Sequence, residues 1–249
     1  MSYSLSWDAS GERRFETGVD HGVLYTGRGT ASSKKAYTTA SVWNGLTSVT
    51  ETPSGADAND LYADNIKYAT LRSPETFGGT IESYTYPEEF SSCNGEKSPD
   101  NVKGVYVGQQ ARESFGFCYR SDIGDDLDAG LDTETDYMLH LWWNCTASPS
   151  ERQYQTINDS PDAITFSWEV TTTPMSFGDG FKPAASMTID TSRLASLTNF
   201  EKLLVVLYGG TITPQGGTAK TYDACLPTPE EVIGILTSGT IPSEFEHTT

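Results

Sequence analysis

From Ile164 to Thr171 the chain alternates without interruption. Ile164, Phe166, Trp168 and Val170 interleave with Thr165, Ser167, Glu169 and Thr171. A period of two sends successive side chains to opposite faces of a strand, so this segment has one core face and one polar face. Pro174 ends it. Ala185, Met187 and Ile189 repeat the pattern further on, and Phe115, Phe117 and Tyr119 show it earlier, interleaved with Gly116 and Cys118 as in a half-buried strand. Tyr137, Leu139, Leu141 and Trp143 form one face of another strand. Its other face, Met138, His140 and Trp142, is also largely apolar, which predicts burial on both sides. Thirteen Tyr, ten Phe and five Trp, with frequent Thr, favour strand over helix throughout.

The stretch from Val42 to Phe90 organises the rest. Val42–Glu51 and Asn65–Leu71 are rich in residues suited to strands, and Thr76–Tyr86 extends again before Pro87. Between the first two lies Thr52–Asp64, whose Pro53, Ser54, Gly55, Asp57, Asn59 and Asp60 favour turns and open chain. A connection longer than a tight hairpin needs is a functional loop in most compact domains. Val19–Tyr25 reads as a short strand. Thr26–Thr39 reads as a flexible loop carrying Arg28, Lys34 and Lys35, and Ser91–Gly104 as a turn-rich connection.

Helix comes late. Leu194, Leu197, Phe200, Leu203, Leu204 and Leu207 recur at three- and four-residue intervals, with Thr198 and Glu201 placed for a capping box and Gly209-Gly210 as a stop. Thr228, Pro229 and Glu231 signal a second, shorter helix. The chain therefore reads as mainly β: two packed twisted sheets, a sandwich or partly open barrel, with one flanking α-helix. Residues 1–17 form an N-terminal arm, 18–210 the β-rich domain, and 211–249 a C-terminal extension with a short helix.

The charge balance is strongly acidic, with 34 acids against 16 bases and a formal net charge of -18. Such a chain is a poor nucleic-acid binder, because affinity for DNA rests on Lys and Arg neutralising phosphates. Met1–Ser10 lacks the basic and apolar regions of a signal peptide, and no apolar run reaches membrane-spanning length. Cys93, Cys118, Cys145 and Cys225 are widely spaced, with no zinc-type pairing, and read as reduced thiols.

Catalytic signatures are missing from the sequence. The three histidines, His21, His140 and His247, sit in no metal-binding pattern. No nucleophile elbow and no phosphate-binding loop occurs, so the chain reads as no enzyme, and no cofactor is implied. Asp126-x-Asp128-x-Gly130 resembles the opening of a calcium loop, but Leu131 occupies the position that needs glycine, and a solvated acidic loop is the simpler reading. Asn144-Cys145-Thr146 and Asn158-Asp159-Ser160 fit the glycosylation sequon as accidental matches.

Five segments carry a resemblance: WNGLTSVTETPSG from Trp43, LYADNIKY from Leu61, TIESYTYPEEF from Thr80, VGQQARESFGFCYR from Val107 and INDSPDAITFSWEVTTTP from Ile157. Together they resemble the major tail protein of long-tailed bacteriophages, over a span from about Phe15 to about Tyr208. The resemblance implies a tail-tube subunit that forms stacked, usually hexameric, rings around a channel for DNA, in a virion tail made in the bacterial host cytoplasm. Its partners would be copies of itself, other tail proteins such as the tape measure, tail terminator and distal tail protein, and passing double-stranded DNA without specific binding or membrane insertion.

By the same resemblance the ring-stacking loop is Thr52, Pro53, Ser54, Gly55, Asp57, Asp60, Leu61 and Tyr62. Arg28, Lys34 and Lys35 form a second interface loop, read either as solvated or as pairing with an acidic neighbouring subunit. Glu51, Glu82 and Glu169 are candidates for an acidic lumen that repels phosphate. The reading from another class is a secreted β-sandwich carbohydrate-binding module using exposed Tyr and Trp. The two differ in self-association without ligand.

Overall fold

A computed structural model describes residues 7, 11–55, 57–99, 102, 104–126, 136–154, 156, 163–213 and 218–247. The chain runs through fifteen strands and three α-helices among these residues: β1 (Phe15–Arg28), β2 (Lys35–Trp43), β3 (Leu46–Glu51), β4 (Ser54–Gly55), β5 (Ala58–Ala63), β6 (Ile66–Arg72), β7 (Glu75–Thr76), β8 (Gly78–Ser83), α1 (Phe90–Cys93), β9 (Phe115–Gly124), β10 (Asp136–Ala147), β11 (Phe166–Thr172), β12 (Ser186–Asp190), α2 (Leu197–Tyr208), β13 (Gly210–Ile212), β14 (Lys220–Tyr222), β15 (Leu226–Pro227) and α3 (Pro229–Ser238). The fold is mainly β, a sandwich of antiparallel sheet layers with flanking helix.

Nine strands share one sheet in the order β15-β2-β1-β9-β10-β11-β8-β3, with β12 also on β10. The sheet forks at Asn144. On the N-terminal side of that residue β10 pairs with β12 (Met138 to Trp142 opposite Asp190 to Ser186), and on the C-terminal side with β11 (Cys145 to Ala147 opposite Thr172 to Val170). Asn144 takes a left-handed φ of 49°, which Asn tolerates because its side chain bonds locally. Its amide receives the Tyr37 hydroxyl and donates to the Thr173 carbonyl, both at 3.3 Å. The side chain is thus buried and used, so Asn144-Cys145-Thr146 is no sugar acceptor; Asn158-Asp159-Ser160 lies outside the described residues.

Past the fork, β11, β8 and β3 lie across β2, β1, β9 and β10. Leu24, Trp43, Phe117 and Trp142 share one buried cluster with Ile81, Trp168 and Val170. The opposite faces of β1, β9 and β10 meet the helices, where Tyr25, Cys118, Leu139, Leu141 and Trp143 pack with Phe200, Leu203, Val232 and Ile235. Three layers result, so β9 is buried from Phe115 to Tyr119 on both faces rather than half-buried. The two-sided burial expected of β10 is present for the same reason.

The helix layer is fastened by buried polar bonds. The Tyr25 hydroxyl donates to the Leu207 carbonyl at 2.9 Å, and the Trp143 indole N–H donates to the Pro227 carbonyl at 2.9 Å. The N-cap of α2 is Ser196, whose hydroxyl accepts from the Asn199 N–H at 3.3 Å, so the Thr198–Glu201 box is not formed. Pro229 opens α3 with Glu230 and Glu231 in its first turn, and Gly239 closes it at a φ of 66°. Asn199 and Lys202 on α2 donate to the Leu236 and Gly239 carbonyls, tying the two helices together.

The 211–249 segment contributes to this same core. β15 pairs with β2, α3 packs on α2, and Phe245 is fully buried. All four cysteines are buried and free, with Cys118 in β9 and Cys145 in β10. Burial pushes the Cys93 thiol up to about 11 and the Cys118 and Cys225 thiols up to about 12, which keeps them protonated and unreactive. Among the described residues no helix is long and apolar enough to cross a membrane.

Candidate functional site

The segment expected as open loop is a β-ribbon. β3 and β8 pair from Leu46–Ser83 to Glu51–Gly79, β4 and β7 continue at Ser54–Thr76 and Gly55–Glu75, and β5 and β6 carry on from Ala58–Arg72 to Ala63–Ile66. These three registers form one long hairpin whose tip is Asp64-Asn65. Both tip residues are left-handed, at φ of 52° and 62°, as a two-residue turn matched to strand twist requires. At about 3.4 Å per residue, twelve residues carry the tip up to about 40 Å beyond Glu51. Among the described residues β5 and β6 pair only with each other.

The expected stacking residues therefore have distinct places. Thr52 and Pro53 sit where the ribbon leaves the sheet, and the Thr52 N–H still donates to the Gly78 carbonyl at 2.8 Å. The Ser54 and Thr76 hydroxyls bond at 2.9 Å across the two strands. Gly55, at a φ of 95°, has no room for a Cβ, which would lie 2.5 Å from the Pro74 carbonyl oxygen. The Asp57 backbone carbonyl accepts from the Ser73 N–H at 3.2 Å. Asp60, Leu61 and Tyr62 lie on β5 itself.

The ribbon has two unlike faces. On one, Asp60 takes the Lys67 ammonium at 2.8 Å and the Thr70 hydroxyl at 2.7 Å, and these contacts hold its carboxyl below the usual range. On the other, the register aligns Leu61, Ala63, Ile66, Ala69 and Leu71. A bulge between Leu61 and Tyr62 leaves Tyr68 unpaired beside them. Ile66 is 63% exposed and Tyr68 72%. A two-stranded ribbon is marginal in water, and this one carries an apolar stripe exposed to solvent among the described residues. The sequence carried the signal in Asp64-Asn65 between Leu61-Tyr62 and Ile66, a turn pair flanked by strand formers.

At the root of the ribbon Glu51 turns inward. Two residues beyond Val49, which packs on the inner core, its carboxylate accepts the Tyr119 hydroxyl at 2.9 Å and the Trp142 indole N–H at 3.3 Å. His140 Nδ1 lies 3.5 Å away, stacked on the Tyr119 ring at 4.4 Å, while its Nε2 meets the Ser121 hydroxyl at 3.0 Å. The His140 contact, then the Tyr119 hydroxyl, hold the Glu51 carboxyl below its ordinary value; burial and the adjacent Glu51 push the Tyr119 phenol up. Glu51 is thus a clamp between the ribbon's root and β9–β10. Because its folded pKa is depressed, the stabilisation is present above the ordinary carboxylate pKa of about 4.3 and is lost as pH falls through the lower folded value. Glu51→Ala is expected to cost about 1–2 kcal/mol at pH 7, through stranded Tyr119 and Trp142 donors, and less at pH 3. Thermal melts at the two pH values read the difference, and an equal loss at both removes the clamp.

Glu82 and Glu169 lie on the other face of the same layer. Glu82 pairs opposite Ser167 and Ser48, and Glu169 opposite Thr80. Alternation adds Thr50 and Thr171, giving a surface of hydroxyls and two acids without a base. The Ser48 hydroxyl donates to Glu82 at 2.9 Å. The three lumen candidates are therefore divided, with Glu82 and Glu169 together and Glu51 turned away.

The basic loop is shorter than expected and serves its own chain. β1 runs to Arg28 and β2 begins at Lys35, leaving only 29–34 as turn. Lys34 pairs with Glu231 on α3 at 2.7 Å, its N–H donates to Glu244 at 3.1 Å, and the Lys35 ammonium stands over the Phe245 ring at 5.8 Å. Two of the three bases thus hold the C-terminal segment against the sheet, and Arg28 remains exposed at the strand end.

Among the described residues, both ends of the eight-strand path are open for pairing. β3 ends the sheet on one side. On the other, β15 covers β2 only opposite Lys35 and Tyr37. Among the described residues no group of three His, Cys, Asp or Glu is placed to hold a metal ion. The calcium-like Asp128, Gly130 and Leu131 lie outside the described residues. No family model matches the chain, and neither does any curated protein.

Proposed function

We propose that the chain is a tube-forming virion protein: a bacteriophage tail-tube subunit whose copies assemble into rings that stack around a channel for DNA. The observation that carries this reading is the ribbon, a long two-stranded arm with an apolar stripe left uncovered among the described residues. Isolated ribbons of this kind gain stability by lying on another subunit. The sequence resemblance to major tail proteins supports the same reading.

The open edges supply a route to the ring. An unpaired β3 edge of one copy and the Thr38–Trp43 edge of β2 on the next can continue the sheet, and closure of the circle removes both edges. The Glu82–Glu169 face then suits a lumen, because hydroxyls and carboxylates give a polyanion no multivalent cationic grip.

Negative-stain electron microscopy of the purified chain over a range of concentrations tests the reading. Rings or tubes with a central hole are the expected result. A monomer at every concentration, together with sugar binding, replaces it with the carbohydrate-binding module. For the lumen, Glu82→Lys combined with Glu169→Lys is expected to permit tube assembly and to slow DNA ejection several-fold at low salt. Raising the salt should restore the rate, since phosphate contacts weaken steeply with ionic strength. Ejection at the ordinary rate in low salt removes these two residues from the channel wall.

A further inference from the structure

A second apolar surface lies on the chain excursion between β8 and β9. Val102, Val105, Tyr106 and Val107 are each 45–49% exposed there. With the arm, this short loop holds half of the large apolar side chains exposed among the described residues. Lys97 and Val107 exchange backbone bonds at 3.0 and 2.9 Å, and the Gln110 N–H donates to the Gly95 carbonyl at 3.0 Å. Lys97, Ser98, Pro99, Val107 and Gln110 line a shallow groove on it.

Arm and loop lie at opposite ends of one strand. The arm enters β8 at Gly78, and the excursion leaves beyond Ser83. Arg152 fixes the excursion at that far end, pairing with Glu96 at 2.9 Å while its guanidinium stands over the rings of Tyr86 and of Phe166, the residue opposite Ser83. Two unlike apolar surfaces at opposite ends can cover each other in a closed antiparallel pair, but the stacked rings proposed above need a contact that propagates. Head to tail, the same two surfaces meet in a contact that repeats without closing, and that is the arrangement stacking requires.

We propose that the arm tip of one copy seats on the surface formed by Lys97, Val105 and Val107 of the copy stacked against it. Leu61 and Ile66 of the stripe cover Val105 and Val107, and Asp64 at the tip meets Lys97 in the groove. The Asp64 and Lys97 charges are opposite in sign, and neither residue is in an ion pair among the described residues. The inference rests on the self-associating reading above and adds to it the receiving surface. A single contact of this type covers both surfaces of every interior copy, and only the two ends of a stack keep one uncovered.

The test is pairwise cross-linking. Chains carrying Ile66→Cys and Val107→Cys are mixed at assembling concentration and treated with a short bis-maleimide; the four native thiols are buried. The expected product is a covalent pair joining position 66 of one chain to 107 of the other, absent when either variant is treated alone. Val105→Glu with Val107→Glu, at two exposed sites, is expected to leave the circular dichroism of the monomer unchanged and to abolish stacking. Tubes that form without the 66–107 product, or that survive the two Glu substitutions, overturn the receiving surface and leave the tube reading standing. Failure of the unsubstituted chain to assemble overturns both.

Discussion

Leu61→Asp combined with Ile66→Asp is expected to yield a folded monomer that no longer forms tubes. The fold should survive because, among the described residues, β5 and β6 pair only with each other, and both side chains are already open to water, at 41% and 63%. No core cluster loses an atom. At a subunit contact the cost is different in kind. Fully burying a side chain of this size is worth about 1.5–3 kcal/mol, and a buried unpaired carboxylate adds a further penalty. Two such changes weaken each contact by about a hundred-fold or more. Repetition along a tube multiplies the loss. Sedimentation velocity and negative-stain images read assembly, and circular dichroism reads the fold. Tubes of ordinary length from the doubly substituted chain would remove the arm from assembly.

The largest stability effect should come from Trp168→Ala. The Trp168 indole is fully buried between the two sheet layers, with ring centroids at 5.0 Å from Phe90, 5.4 Å from Tyr86 and 5.6 Å from Trp43. Removing it leaves a cavity walled by other aromatic rings, which cannot collapse without separating the layers. The expected cost is about 3–5 kcal/mol, and at about 2–4 °C per kcal/mol for a chain this size the melting temperature should fall by about 10 °C. Trp168→Phe gives the contrast. The indole N–H has no hydrogen-bond partner among the described residues, so Phe loses ring volume and sheds an unsatisfied donor at once. Its cost should stay within about 2 kcal/mol. Comparable losses for Ala and Phe in chemical denaturation would show that the layer contact tolerates a void.

Much of the frame was legible because strands announce themselves locally. The alternation is β11 from Phe166 onward, with Ile164 exposed ahead of the strand rather than in the core, and the apolar spacing from Leu197 to Leu207 is α2, with Leu194 before its start. Burial of β10 on both faces followed from the apolar residues on each side of its alternation. The misreadings came where local composition and distant pairing disagree. Thr52–Asp64 is rich in turn formers, yet Asn59 and Asp60 lie in a strand because Leu71 and Thr70 come back to meet them. Thr26–Thr39 looks loose, yet Arg28 pairs with Tyr37 across a short turn. Lys34 and Lys35 looked available to a neighbour, and their partners Glu231 and Phe245 lie some two hundred residues on. Glu51 and Glu82 both fall on the β3–β8 hairpin, and only the register sends one to the rim of the core and the other to the polar face.

By itself the sequence determined the period of each strand, the position of the helices and the acidic balance of the surface, because each of these depends on residues within a few positions of one another. The tertiary structure alone decided which face of each strand meets which layer. It closed the C-terminal segment onto β2, and it left the Leu61–Leu71 stripe without cover among the described residues. Those outcomes depend on contacts between residues far apart in the chain, whose loop-closure cost is met only when a whole layer packs at once. No window of neighbouring residues records that.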